Sequence, residues 1–130
     1  MGGDGMRMTR MIKGWGLGAF LVLTACGPTE GDTILSIADF DYTPNNLQVE
    51  PGETVRVRNL DTAAHSATSS PSSADLVPGA VENVGFDTGE FVMGEREFTV
   101  PADAVPGTIV TFYCTVHRDY RHGVGKLVVQ

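Results

Sequence analysis

One stretch near the end of the chain limits the fold more than any other. Thr108-Ile109-Val110-Thr111-Phe112-Tyr113 and Gly125-Lys126-Leu127-Val128-Val129 both read as β-strands, and the segment between them carries Cys114, His117 and His122 in a C-x2-H-x4-H spacing. One of the two cysteines and two of the three histidines of the chain are therefore gathered between two strands. A thiol and two imidazoles this close together form a metal-ligand pattern. The remaining histidine, His65, follows another strand-like run far upstream and can join the others only through tertiary structure.

The rest of residues 33–130 has the same β character. Thr33–Phe40 alternates as a half-buried strand, and Tyr42-Thr43-Pro44-Asn45-Asn46 reads as the turn after it. Leu47–Glu50 is a short strand stopped by Pro51-Gly52. Glu53–Asn59 comes next, with Val55 and Val57 expected inward, Arg56 and Arg58 outward, and its end leading through Leu60–Ala64 to His65. Residues 66–94 are a long irregular stretch, in which Asn83–Gly89 is the place for one short strand or turn. Arg96–Val100 is the next strand, ended by Pro101, and Asp103–Gly107 is a turn cluster before the final pair. No sustained helical period occurs. About seven or eight short strands between turn signals point to an antiparallel sandwich or barrel.

The first residues belong to a different kind of segment. Arg7, Arg10 and Lys13 precede the apolar run Trp15–Ala25, which has the charge and length of a signal peptide and is too short for a transmembrane helix. The run ends in Leu23-Thr24-Ala25-Cys26, which resembles the bacterial lipobox and implies a lipid on Cys26; an ordinary secretory leader cut nearby is the alternative. The expected organisation is a lipoprotein signal peptide over 1–25, a tether over 26–32 and a single domain over 33–130. The protein is then lipid-anchored in a bacterial cell envelope, facing the periplasm or the exterior. Beyond the leader, six Lys and Arg stand against fifteen Asp and Glu, a net charge of −9, which disfavours nucleic acid as a partner. If Cys26 carries a lipid, Cys114 has no disulfide partner in an oxidising compartment, and a bound metal would protect its thiol.

The segments "FDYTPNNLQVEPGETVRVRNLDTAAH", "FDTGEFVMGEREFTV" and "GTIVTFYCTVHRDYRHGVGKLVV" together resemble the cupredoxins of the plastocyanin and azurin type over most of residues 33–130. That resemblance implies an all-β, Greek-key β-sandwich holding one copper ion that cycles between Cu(II) and Cu(I). By position, His65, Cys114 and His117 are the implied ligands. One thiolate with two imidazoles suits copper in both oxidation states, whereas carboxylates alone would point to harder ions.

The resemblance breaks at the axial position. Blue-copper members place a methionine three or five residues after the second histidine; here Tyr120 and His122 occupy those positions, and no methionine comes after Met93. Met93, in the irregular stretch, reads as a core or loop residue. His122 is the candidate for the vacant role, and a nitrogen donor there would favour a tetragonal, non-blue site. The loop spacing is similar to that of nitrosocyanin, a red-copper cupredoxin whose fourth ligand is a glutamate. If His122 is instead a solvent-exposed loop residue, water, a backbone carbonyl or Tyr120 completes the site. Asn59 and Asp61 either tie the ligand loops together or act as ordinary turn formers. Arg118, Asp119, Tyr120 and Arg121 either steer a partner or keep the loop solvated.

Three functions are compatible with these residues. The first is one-electron transfer to a redox partner protein in the cell envelope. The second is a nitrosocyanin-like copper enzyme or sensor for a small molecule such as nitric oxide or peroxide. The third is copper storage or delivery. No catalytic acid, base or nucleophile motif occurs elsewhere in the chain.

Overall fold

Where apolar and polar residues alternate, the chain forms strands, because a pleated strand presents successive side chains to opposite faces. The computed structural model describes residues 33–118 and 122–130. The expected leader over 1–25, the expected tether over 26–32 with Cys26, and residues 119–121 with Tyr120 lie outside the described residues. The elements are β1 (Thr33–Ala38), β2 (Asp41–Thr43), β3 (Asn46–Val49), β4 (Thr54–Asn59), β5 (Thr68–Ser70), β6 (Gly94–Thr99), β7 (Ile109–Tyr113) and β8 (Gly125–Val129).

They form two four-stranded sheets, ordered β2-β1-β4-β6 and β3-β8-β7-β5. Leu35, Ile37, Val55, Val57 and Phe98 face inward from the first sheet; Leu47, Val49, Val110, Phe112, Leu127 and Val129 face them from the second. Each such side chain contributes on the order of 1.5–3 kcal/mol by leaving water. Arg56 and Arg58 point outward, as the alternation of β4 requires, and pair with Glu95 across the sheet. The architecture is an all-β, Greek-key sandwich.

Two expectations are corrected. The pairing is mixed rather than antiparallel throughout: β1 runs parallel to β4, and β3 parallel to β8. The chain leaves the first sheet after β2, contributes β3 to the second, and returns as β4. That crossover sets β4 in the same direction as β1, as parallel neighbours require. The expected turn over Tyr42–Asn46 narrows to a bend at Pro44 and Asn45, and an unexpected hairpin precedes it. β1 stops at Ala38, Asp39 and Phe40 take left-handed backbone angles (φ 52° and 63°), and Ala38 pairs with Asp41. This is a two-residue hairpin loop of the kind that matches strand twist. The expected turn residues Tyr42 and Thr43 are strand.

The irregular stretch proves ordered without being regular. β5 lies within it, and isolated bridges join His65 to Phe91, Thr68 to Asp87 and Val81 to Val84. Phe86 stacks on Phe98 at 3.9 Å between ring centroids, which fastens the stretch to the core.

Candidate metal centre

The stretch after β4 and the segment between β7 and β8 meet at one pole of the sandwich and deliver a single cluster. The stretch after β4 brings His65. Leu60 N–H donates to Ile37 O at 2.8 Å, which holds the strand end against β1. The amide of Asn59 then shapes the loop that leads to His65, donating to the carbonyls of Ala63 (2.9 Å) and Phe91 (2.7 Å) and accepting from Asp61 N–H (2.9 Å). His65 exchanges two backbone hydrogen bonds with Phe91, at 3.1 and 3.0 Å, and is fully buried. Its side chain is fixed at the far nitrogen, where Nε2 lies 2.8 Å from Asp61 Oδ2. With Nε2–H donated to the carboxylate, Nδ1 keeps its lone pair for the cluster.

Cys114 leaves β7 directly into the same pole and is buried. The Ser66 N–H points at its sulfur across 3.4 Å, and the Ser66 hydroxyl accepts the Thr115 N–H at 3.0 Å. His117 Nδ1 stands 3.6 Å from Cys114 Sγ, and His65 Nδ1 stands 3.8 Å from it. His122 completes the set. Its Nδ1 faces the Gly123 carbonyl at 3.0 Å, so Nε2 is turned inward, 3.2 Å from His65 Nδ1. The buried Tyr42 ring supports His122 at 5.0 Å, while its hydroxyl donates to Ser66 O at 2.5 Å.

All four ligand atoms, one each from His65, Cys114, His117 and His122, lie within 4.8 Å of one another. Bond lengths of about 2.0–2.3 Å around one four-coordinate ion place its ligand atoms roughly 3.3–3.8 Å apart. The separations of 3.2, 3.6 and 3.8 Å match that spacing. One sulfur and three imidazole nitrogens, with two of the rings oriented from behind, fit a copper ion.

The same geometry governs the thiol in the metal-free protein. Burial alone would raise the Cys114 pKa, but hydrogen bonds from His122, the Ser66 N–H, His65 and His117 together outweigh it and lower the thiol to about 5. His122 moves the opposite way: burial disfavours its cation, yet the hydrogen bond to Cys114 and the Gly123 carbonyl carry its pKa above the ordinary imidazole value. The thiol is thereby held as the thiolate, the form that binds metal. Asp61 is lowered against the effect of its own burial, because the Asp39 and Phe40 N–H groups and His65 all favour its anion.

The four histidine and cysteine positions read from the sequence thus come together, and Asn59 organises the loop behind His65. Met93 is exposed in the loop before β6, and the core half of its expected reading does not hold. Three contributors escaped the sequence. Ser66 is marked only by its place after His65. Tyr42 was absorbed into a turn. Phe40, at the hairpin tip, sets its ring edge-on to His117 (4.7 Å), His65 (5.0 Å) and His122 (6.1 Å).

A two-sheet mixed sandwich with a His/Cys/His/His cluster at one pole has the fold of the cupredoxins. Solved structures that share this fold include a proline-to-glycine variant of amicyanin in its reduced Cu(I) form, 20% identical with a TM-score of 0.58 over 79% of this chain and 86% of that one. A purple cupredoxin from Nitrosopumilus maritimus is 20% identical, with a TM-score of 0.56 over 76% of this chain and 100% of the other. An oxidised methionine-to-leucine variant of amicyanin is 19% identical, with a TM-score of 0.55 over 79% and 86%. At these identities the likeness is one of fold. No protein-family model matches the sequence, and no curated protein does.

Proposed function

We propose that the protein is an extracytoplasmic mononuclear copper redox protein, passing single electrons through a non-blue site made by His65, Cys114, His117 and His122. The observation that carries this reading is the convergence of those four donors on a sandwich whose solved neighbours include an amicyanin in its Cu(I) form. Bound there, copper supplies one-electron chemistry between Cu(II) and Cu(I). Cys114 contributes the thiolate, already ionised near neutral pH. His65 contributes an imidazole whose orientation Asp61 fixes, which limits rearrangement between the two oxidation states. His122, with its nitrogen turned inward, occupies the role of the missing methionine; a nitrogen there stabilises Cu(II), lowers the reduction potential and favours a tetragonal geometry.

Four donors and the Phe40 ring enclose the position, which favours electron transfer over nitrosocyanin-like chemistry on a coordinated small molecule. The fixed geometry favours it over storage or delivery, where ligands must release the ion. The N-terminal leader and the lipobox-like Leu23–Cys26 support a lipid anchor on Cys26 after a leader over 1–25, a tether over 26–32, and a redox partner protein in the same envelope. Cys26→Ser is expected to move the protein from the membrane to the soluble fraction.

Loading with Cu(II) and recording optical and electron-paramagnetic spectra tests the centre. The expected result is a thiolate charge-transfer spectrum dominated by its short-wavelength band, with wide copper hyperfine splitting, shifting toward the long-wavelength band and a higher potential in His122→Met. A dominant long-wavelength band with narrow splitting in the native chain would overturn the non-blue assignment. An unchanged spectrum in His122→Ala would remove His122 from the ligand set.

A further inference from the structure

The tip of the β1–β2 hairpin is built in a way that its turn does not require. Position 40 takes φ 63°, a region that suits glycine and asparagine and is an outlier for a bulky residue. Phenylalanine stands there nonetheless, with 42% of its surface exposed. Backbone held in such a conformation persists where the surroundings over-determine it, and here both ligand-bearing segments do so. The Asp61 carboxylate accepts the N–H groups of Asp39 (2.9 Å) and Phe40 (3.2 Å), and the Phe40 carbonyl accepts the Gly123 N–H at 3.0 Å. The tip is stitched to the segment before His65 on one side and to the residue after His122 on the other.

That stitching sets the ring against three imidazoles at once. The centroids of His65, His117 and His122 lie 4.9 to 5.9 Å from one another, and the Phe40 ring meets each of them edge-on. Cys114 is buried beneath them, at 1% exposure, while the outer surface of Phe40 meets solvent. The ring therefore covers the three imidazoles on a side that meets solvent, where a further ligand would have to pass it. An apolar ring offers such a ligand no hydrogen bond and no room.

We infer that Phe40 is the residue that determines which small molecules reach the centre: its ring, locked against His65, His117 and His122, keeps water and small anions from the cluster and from Cys114. Asp61 and Gly123 are the latches, and Asp61 serves His65 with the same carboxylate, so lid and ligand are fixed together. The inference rests on the copper reading for its anion, but its effect on access to Cys114 stands without any metal.

The test uses the full chain in two states. In the metal-free protein, alkylation of Cys114 by iodoacetamide is monitored by mass spectrometry of its peptide, so that Cys26 does not interfere. Phe40→Gly keeps a residue suited to the turn and removes the ring; it is expected to speed alkylation about tenfold by removing the local opening that access now needs, while Phe40→Leu, which retains bulk, stays near the native rate. In the copper-loaded protein, titration with azide is expected to perturb the optical spectrum of Phe40→Gly at concentrations that leave the native spectrum unchanged. If Phe40→Gly loosens the hairpin, seen as faster hydrogen exchange at Asp41 and Tyr42, Phe40→Asn supplies the same ring deletion with a residue that also tolerates the turn. Native alkylation rates in ring-deleted proteins with intact hairpins overturn the inference. If copper fails to bind, the electron-transfer reading falls while the alkylation result still decides the role of Phe40.

Discussion

His65 and His122 face one another across 3.2 Å, yet they are held by different means. His65 is anchored by backbone bonds to Phe91, by the Asn59 amide that grips the same Phe91 carbonyl, and by a carboxylate on its outer nitrogen. His122 has no carboxylate behind it: its Nδ1 faces the Gly123 carbonyl, the Gly123 N–H donates to Phe40 O, and the Tyr42 and Phe40 rings pack against it. The difference separates two kinds of ligand. The first is fixed by backbone bonds and a carboxylate on its outer nitrogen; the second is fixed by the backbone beside it and by packed rings.

The comparison can be broken most directly at the thiol. Cys114→Ser is expected to abolish the thiolate charge-transfer bands and most Cu(II) binding in an optical titration, while slow hydrogen exchange at His65 and Phe91 persists; loss of that protection would show that the His65 side is not independent. Asp61→Ala frees the outer nitrogen of His65, and lost support of this kind weakens metal affinity by about 10- to 100-fold; competition against a chelator measures it. A smaller effect would mean that the backbone alone orients His65.

Ser66 joins the two sides, since its hydroxyl accepts the Thr115 N–H and lies near the Thr68 and Thr115 hydroxyls. Ser66→Ala is expected to cost about 1 kcal/mol in urea unfolding of the metal-free protein, because the part-buried Thr115 N–H loses its acceptor. A pH dependence tests the same pole without a substitution. The folded thiol ionises at about 5 against an ordinary 9.0, so between these values the folded state binds fewer protons and stability falls as pH drops. The raised His122 acts in the other direction: its contribution is complete below the ordinary 6.5 and is lost as pH rises through its folded value. The fall on acidification is therefore unopposed between 6.5 and about 5, and thermal unfolding of the metal-free protein across that range checks it. In His122→Ala the thiolate absorbance is expected to disappear at a higher pH.

The donors were legible because ligand chemistry is written in residue type and spacing. Cys114, His117 and His122 sit between two alternating runs, and His65 comes after a third, so the ends of β4 and β7 could be placed from the pattern of residues alone. Alternation also marked the inward face of β4. β5 was not legible, because Thr68, Ser69 and Ser70 are all buried and none is apolar. The hydroxyls of the first two are satisfied by partners far along the chain, Ser69 by Gly79 and Phe86, Thr68 by Asp87. The β1–β2 hairpin was hidden for a related reason. Its tip lacks the glycine or asparagine that usually announces a left-handed turn, and the conformation of Phe40 is imposed by Asp61 and Gly123 rather than by its own preference. What the sequence concealed was structure held by tertiary contacts alone.

The register between β7 and β8 has a wider consequence. Phe112 pairs with Gly125, and a Cβ at that glycine would collide with the Phe112 ring, so the two ends of the ligand-bearing loop are clamped by the core itself. The entropy of closing a segment between fixed ends grows only slowly with its length, by about 0.6 kcal/mol per doubling. Cys114, His117 and His122 therefore lie on one segment whose two ends the core fixes, while His65 lies on another. The spacing of donors, and with it the character of the centre, can vary through insertions and deletions that leave every strand pairing where it is.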